Sequence, residues 1–228
     1  MKIKHHSYFN NGMKTLNWQA LRDSEMDEEY HIPFNKEDYL STFKANEPSN
    51  LTNIIIKNLE YEGIKKIFSI GSGIAALEYQ LKKFSDLNIV ISDFNSSVLR
   101  LKQFEIFDDA LLLDAIQDPL PVDNSFSVLF SRIDTEFDDE KFQKIFEKCH
   151  SLGVKHICFI PAELLTFRIV LAEIKTLLIS IIKRKPRVFC GYARSMSSFV
   201  KIWNPYYKVS KVYKSERTIF FLKKKLTV

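Results

Sequence analysis

One stretch of the sequence, residues 65–161, constrains the fold more than any other part of the chain. Short apolar runs alternate there with segments of helical length, and several of the runs end in an acidic residue. Strands that alternate with helices predict right-handed crossovers and a parallel sheet covered by helices on both faces. The sequence therefore predicts an open α/β fold.

A glycine turn follows the first apolar run, residues 66–70. Gly71 and Gly73, two of the chain's six glycines, stand there on either side of Ser72. Glycine permits a tight turn and lets a ligand approach the backbone closely. The second apolar run ends in Asp93, twenty residues after Gly73. A nucleotide-binding sheet places the acceptor for the ribose hydroxyls at that distance, so the turn and the acid predict a nucleotide-like ligand.

Two later segments complete a recognisable pattern. Residues 111–115 read LLLDA, a short apolar run followed by the acid Asp114. Residues 118–131 read DPLPVDNSFSVLFS. Together with the glycine turn, they resemble the class I S-adenosylmethionine (SAM)-dependent methyltransferases of the type 11 kind, over roughly residues 50–222. The resemblance implies a Rossmann-like, mostly parallel methyltransferase sheet that ends in an antiparallel hairpin. It also implies SAM as the cofactor.

The resemblance assigns cofactor contacts to residues at the strand ends. These residues are Ser69, Gly71, Ser72, Gly73, Asp93, Phe94, Asp114, Ala115 and Ser131. In this scheme Asp93 accepts both ribose hydroxyls, Phe94 lies against the adenine, and Asp114 accepts the exocyclic amine. The residues alone leave alternatives open, because Asp93 is also a good helix cap, Asp114 a good turn residue and Phe94 a good packing residue.

The chain departs from the family pattern at two positions in the glycine turn. Ser69 stands where the family has an acid that helps to hold the methionine end of the cofactor, and Ala75 replaces the third glycine. These departures keep a non-catalytic, methyltransferase-like binding protein open as an alternative function.

Two residues are candidates for catalysis. His31 lies in an aromatic segment, residues 30–34, within the polar residues 1–49 that we expect to form a lid or cover. Histidine titrates near neutrality and suits a general base, although a surface or packing role is the alternative. Arg132 follows the predicted fourth strand and would border the methionine and the acceptor, with a surface ion pair to Asp134 or Glu136 as the alternative.

The chain length and hydrophobic content predict one domain, residues 1–228. Residues 1–49 form the cover, residues 50–228 form the Rossmann-like core, and residues 163–203 form a helical insertion in it. A helix predicted over residues 163–184 is apolar on most sides. Core or lid packing, a homodimer face and an interfacial membrane contact are the alternatives for its surface, and the chain is a monomer or a homodimer.

The charge is unevenly distributed. Residues 151–228 contain 16 Lys and Arg against 3 Asp and Glu. This balance keeps an RNA methyltransferase open, but the sequence after the fourth strand reads SRID rather than a base-methylating NPPY-like motif. We therefore expect a small-molecule or glycan-like acceptor and no nucleic acid. Sparse cysteines, no signal peptide and no long apolar run predict a cytoplasmic chain without a transmembrane span or a metal site.

Overall fold

The computed structural model describes residues 1–7, 16–24, 30–183 and 187–225. Its strands are β1 (Lys2–Ser7), β2 (Lys66–Ile70), β3 (Asn88–Asp93), β4 (Asp109–Leu112), β5 (Phe126–Ser131), β6 (His156–Ile160), β7 (Val188–Arg194), β8 (Tyr207–Lys214) and β9 (Thr218–Lys224). Seven of them form one sheet in the order β4-β3-β2-β5-β6-β9-β8. Strands β2 to β6 are parallel to one another, and β9 is antiparallel to both β6 and β8. The predicted Rossmann-like sheet with its C-terminal hairpin is confirmed.

Helices cover both faces of this sheet. The helices among the described residues are α1 (Trp18–Asp23), α2 (Lys36–Thr42), α3 (Asn50–Tyr61), α4 (Ala76–Lys83), α5 (Val98–Gln103), α6 (Asp139–Ser151), α7 (Phe167–Lys183) and α8 (Met196–Trp203). One buried cluster joins α3, α4 and α5 to one face through Leu59, Leu81 and Leu101, and a second, largely aromatic cluster joins α6 and α8 to the other through Phe146 and Trp203. Apolar side chains on both faces of the central strands are typical of a sheet buried on both sides.

Capping residues define where these helices begin. Ser49 accepts a hydrogen bond from the N–H of Thr52 at the start of α3. Asp138 accepts one from the N–H of Lys141 at the start of α6. Each cap satisfies a backbone donor that has no partner within its own helix.

A small second sheet is the main feature that the sequence did not predict. Strand β1 pairs antiparallel with β7, so the insertion over residues 163–203 is not wholly helical as predicted. Gly191 in β7 has φ +126°, and a Cβ there would lie 2.4 Å from the carbonyl oxygen of Thr135. The antiparallel pair of β1 and β7, called the β1–β7 ribbon below, therefore packs closely against the 3-10 turn, Ile133–Thr135, that follows β5. The partner strands are about 190 residues apart in sequence, which local patterns do not reveal.

Helix α7 lies on the ribbon rather than in the core. Its residue Glu173 accepts a hydrogen bond from the N–H of His6 in β1. Many of its large apolar side chains are exposed, so core or lid packing accounts for only one side of it. Among the described residues, no helix is long and apolar enough to cross a membrane.

Candidate functional site

A cavity of about 960 Å³ opens at the carboxyl edge of the sheet. Strands β2 and β5 are adjacent there, and the chain order runs away from them in opposite directions, which is where open α/β sheets bind ligands. All nine residues predicted to contact the cofactor except Ser69 line this cavity. The predicted residues that line the cavity are Gly71, Ser72, Gly73, Asp93, Phe94, Asp114, Ala115 and Ser131.

The glycine turn between β2 and α4 forms one wall of the cavity. Gly71 and Gly73 have φ values of +69° and +61°, and a Cβ on Gly71 would lie 2.4 Å from Cγ2 of Ile133. Ala75 also adopts a left-handed conformation, with φ 56°, which is unfavourable for a residue that has a Cβ. The hydroxyl oxygen of Ser72 is buried and has no hydrogen-bond partner among the described residues. A buried donor without a partner in a glycine cradle fits a turn built to receive a ligand.

Asp93 connects the glycine turn to β3. Its carboxylate accepts hydrogen bonds of 2.9 Å from the N–H of Gly73 and from the N–H of Asn95. The N-cap of α5 is Ser97, so Asp93 does not occupy the capping position that the sequence left open as its alternative role. The carboxylate therefore lies at the cavity wall with its position fixed by backbone donors.

Arg22 of α1 occupies the remaining acceptor positions of this carboxylate. Its Nη1 lies 3.0 Å from Oδ1 of Asp93 and its Nη2 lies 3.3 Å from Oδ2. Both side chains are almost completely buried, with 7% and 2% of their surface exposed. A carboxylate offers about four acceptor positions, and two backbone N–H groups together with this bidentate pair fill them.

Backbone contacts hold the arginine in place. Leu21 is buried beside it, and the carbonyl oxygen of Arg22 accepts a hydrogen bond from the N–H of Ile32. The Nδ1 atom of His31 lies 3.1 Å from the same carbonyl oxygen. His31 is therefore behind Arg22, and it is not among the described residues that line the cavity. Its role as a base stays a prediction.

The methionine end of the predicted site contains an acid that the sequence did not single out. Ser69 is fully buried at the end of β2, and its hydroxyl donates a 2.6 Å hydrogen bond to Oε1 of Glu78. Glu78 is in the first turn of α4 and lines the cavity. Burial raises the pKa of the Glu78 carboxyl to about 7. A carboxylate thus lies beside the position where the family pattern has its acid.

The opposite end of the cavity contains the residues predicted to meet the adenine. The Phe94 ring is 54% exposed and lines the cavity, so it is not packed away in the core. Asp114 accepts a 2.8 Å hydrogen bond from the N–H of Ile116 and so stabilises its own turn, which was its alternative role. It lines the cavity as well, so the two roles are compatible.

The side of the cavity nearest β5 is polar. Arg132 has φ 63°, and its N–H donates to the carbonyl oxygen of Ile160, which holds the turn after β5 against β6. Glu136 lies close by and accepts a 3.1 Å hydrogen bond from the indole N–H of Trp18. Arg132, Glu136 and Trp18 all line the cavity. Trp18 therefore contributes to the wall on this side.

Among the cavity residues to which we assign a role, the sequence did not predict Arg22, Glu78, Trp18 or Glu136. Glu78 had a local signal, since it is an acid in the first turn of the helix that follows the glycine turn. Arg22 had none, because it lies 71 residues before the carboxylate it binds.

Solved structures resemble this architecture, although no protein-family model and no curated protein matches the sequence. Mitomycin 7-O-methyltransferase aligns with TM-score 0.55 at 15% identity, over 72% of this chain and 50% of that one. Human N-acetylserotonin methyltransferase, solved in complex with SAM, aligns with TM-score 0.54 at 17% identity, over 92% and 66%. Magnesium protoporphyrin IX methyltransferase from Synechocystis PCC 6803, solved with bound SAH, aligns with TM-score 0.56 at 13% identity, over 83% and 94%.

The chain has the class I SAM-dependent methyltransferase fold. It spans 50–66% of the length of the first two of these proteins and nearly all of the third. At such identities the likeness establishes the fold and not the reaction.

Proposed function

We propose that this chain binds SAM in the cavity and catalyses methyl transfer to a small-molecule or glycan-like acceptor. The observation that carries the proposal is the hydrogen bond between the glycine turn and Asp93, in which the N–H of Gly73 donates to the carboxylate across 2.9 Å. This hydrogen bond holds a carboxylate where a nucleoside ribose would need an acceptor. The unpartnered hydroxyl of Ser72 beside it supports a ligand in the turn.

The chain offers a partner for each part of this cofactor. Asp93 would accept the ribose hydroxyls, Phe94 would contact the adenine, and Asp114 with Ala115 would border its edge. Glu78 would accept hydrogen bonds from the ammonium group at the methionine end, in place of the acid that Ser69 replaces. Charge-assisted hydrogen bonds of this kind are stronger than neutral ones, so the two carboxylates would supply much of the affinity.

The ribose can reach Asp93 only when Arg22 leaves it. All four acceptor positions of the carboxylate are filled in this structure, two of them by the guanidinium. The helix α1 is short and lies outside the sheet and the glycine turn, so its withdrawal would break no strand pairing. We infer that cofactor binding and the position of the N-terminal residues are coupled through this ion pair.

The acceptor would enter on the β5 side of the cavity. SAM supplies an activated methyl group, so the protein's task is to align the acceptor, keep water out and receive a proton where the acceptor loses one. Arg132 and Trp18 border the space for the acceptor, and the Glu136 carboxylate is placed to receive a proton. His31 remains the other candidate base if the N-terminal residues move when the ligand binds.

A non-catalytic binding protein is the second candidate, and one observation favours it. The ion pair between Arg22 and Asp93 already satisfies the acceptor that the cofactor needs, as expected if the site had lost its ligand. In that case no SAM-like ligand binds at all.

Calorimetry with S-adenosylhomocysteine (SAH) tests the proposal. We expect micromolar binding, roughly −8 kcal/mol, and no binding of NADH. Binding of NADH but not SAH would contradict the methyltransferase proposal. Binding of neither ligand, to wild type or to the Arg22→Gln variant, would support the non-catalytic candidate.

A further inference from the structure

The outer face of α7 is an exposed apolar surface. Phe167, Leu171, Ile174, Leu178 and Ile181 follow one another at intervals of three or four residues, so they lie on one side of the helix. Between 49% and 75% of each of these residues is exposed. Leu177 and Ile182 flank the row and are exposed as well. An apolar surface this long on one helix is typical of a binding surface.

The inner face fixes how the helix is oriented. Ile169 is buried, and Oε1 of Glu173 accepts a 2.8 Å hydrogen bond from the N–H of His6 and lies 2.7 Å from Nδ1 of His5. Arg187 lies 3.6 Å from the other carboxylate oxygen. These contacts join α7 to the β1–β7 ribbon through its polar side, so its apolar row faces away from the protein.

The charges beside the apolar row are positive. Arg168 and Lys175 are exposed next to it, whereas Glu173, the acid within α7, points inward to the histidines. The surrounding part of the sequence, residues 151–228, is strongly basic, with 16 Lys and Arg against 3 Asp and Glu. An apolar row bordered by cations is complementary to a surface that is apolar inside and anionic at its edge.

We propose that α7 binds the surface of an anionic lipid bilayer, lying in the plane of the interface with its apolar row inserted. A second copy of the chain suits this face less well. Two such helices packed face to face would bring Arg168 and Lys175 of both copies together on a chain whose net charge is already +5. Anionic headgroups would neutralise the same side chains. This inference does not depend on the identity of the cofactor.

The ribbon relates this surface to the cavity. Cys190 and Tyr192 of β7 and His5 of β1 line the cavity, while α7 packs against the same ribbon. A chain attached to a bilayer through α7 would therefore hold one wall of its cavity near the lipid surface.

Co-sedimentation of the full chain with vesicles tests the proposal. We expect weak binding to phosphatidylcholine vesicles and about tenfold tighter binding when about 30% phosphatidylglycerol is included. Leu178→Glu with Ile181→Glu should weaken binding to the anionic vesicles by about tenfold or more, because two charges enter the inserted row. Lys175→Glu should weaken it less and reduce its dependence on salt.

Leu99→Glu is the matched control, since Leu99 is an exposed leucine on a different helix, α5. It should bind as the wild type does. Equal binding by the α7 double variant, or no preference for anionic vesicles, would overturn the proposal. So would sedimentation equilibrium that shows a wild-type dimer dissociated by the α7 substitutions, with no vesicle binding, because α7 would then be a contact between copies.

Discussion

Each of the two ends of the cavity contains a carboxylate, Asp93 at one end and Glu78 at the other, and the two differ in position and in hydrogen bonding. At the ribose end Asp93 is where the sequence places it, but its oxygens are filled by Arg22 and two backbone donors. At the methionine end the predicted position holds Ser69, and the carboxylate arrives from Glu78 on the next helix. Asp93 is in its expected place and fully hydrogen-bonded, whereas the other expected place holds Ser69, and Glu78 lines the cavity beside it.

The difference separates the location of a group from its availability. Strand register fixes where a residue at the end of β3 must lie, so Asp93 could be located from the sequence. Whether that carboxylate is available depends on a contact made by a residue 71 positions earlier. Binding experiments on variants of each end can therefore distinguish the two situations.

The largest expected effect is at the ribose end. Asp93→Ala should weaken SAH binding by about 100-fold, because two charge-assisted hydrogen bonds are lost. Calorimetry measures the change, and thermal unfolding checks that the variant remains folded. Asp23→Ala is the control, since Asp23 is the neighbour of Arg22 and pairs with Arg100 instead. Equal losses in both variants would mean that Asp93 does not contact the ligand.

The methionine end should show a smaller loss. Glu78→Gln should weaken SAH binding by about tenfold, because the ammonium group loses its charged acceptor. Glu163→Gln removes a carboxylate from another part of the cavity wall and should change binding less than about twofold. The double variant Ser69→Asp with Glu78→Gln returns an acid to the end of β2 and should recover part of the loss. A Glu78→Gln variant that binds like wild type would show that the acid was lost rather than moved.

Burial raises the pKa of three carboxyl groups, Glu78, Asp134 and Glu136, and this predicts how the stability of the ligand-free protein changes with pH. Burial raises the pKa of Glu78 to about 7 and that of Asp134 to about 6. The folded state therefore holds protons that the unfolded state has released. Its free energy of unfolding should fall by about 1 kcal/mol or more as the pH rises from about 5 to about 8. Urea unfolding at several pH values measures this, and Glu78→Gln should make the slope shallower. A stability that rises with pH would contradict the burial of these groups.

Removing Arg22 from Asp93 should strengthen SAH binding, whereas the Asp93 and Glu78 substitutions should weaken it. Arg22→Gln should strengthen SAH binding by about fivefold, because the ribose hydroxyls no longer have to displace a guanidinium from Asp93. Arg100→Gln is the control, since Arg100 also ties the N-terminal residues down, through Asp23 and the carbonyl of Ile32, without touching Asp93. Weaker binding after Arg22→Gln would show that the arginine assists the ligand instead of excluding it.

The smallest effect should come from the adenine end. Phe94→Ala should weaken SAH binding by about threefold, since an exposed ring contributes one face of contact. Phe34→Ala is a matched control, because Phe34 is a similarly exposed ring that packs on His31 and Arg100 instead of lining the cavity. Equal effects of the two changes would place the adenine elsewhere.

Sequence reasoning reached the sheet and its edge but not the contacts between distant segments. The apolar run over residues 66–70 predicted β2 with the bounds that the structure has, because a strand is a local pattern. The pairing of β1 with β7, the Arg22–Asp93 pair and the exposed row of α7 all depend on segments that meet only in the folded chain. These are tertiary contacts between segments that are far apart in sequence, so local sequence patterns do not reveal them.

A crystal structure of the full chain with SAH bound would show whether the cofactor displaces Arg22 from Asp93. We expect the ribose hydroxyls on Asp93 with Arg22 withdrawn, and the ammonium group within hydrogen-bond distance of Glu78. A complex in which Arg22 still binds both oxygens of Asp93 while SAH occupies the cavity, or crystals soaked in SAH that leave the cavity without ligand, would contradict this expectation.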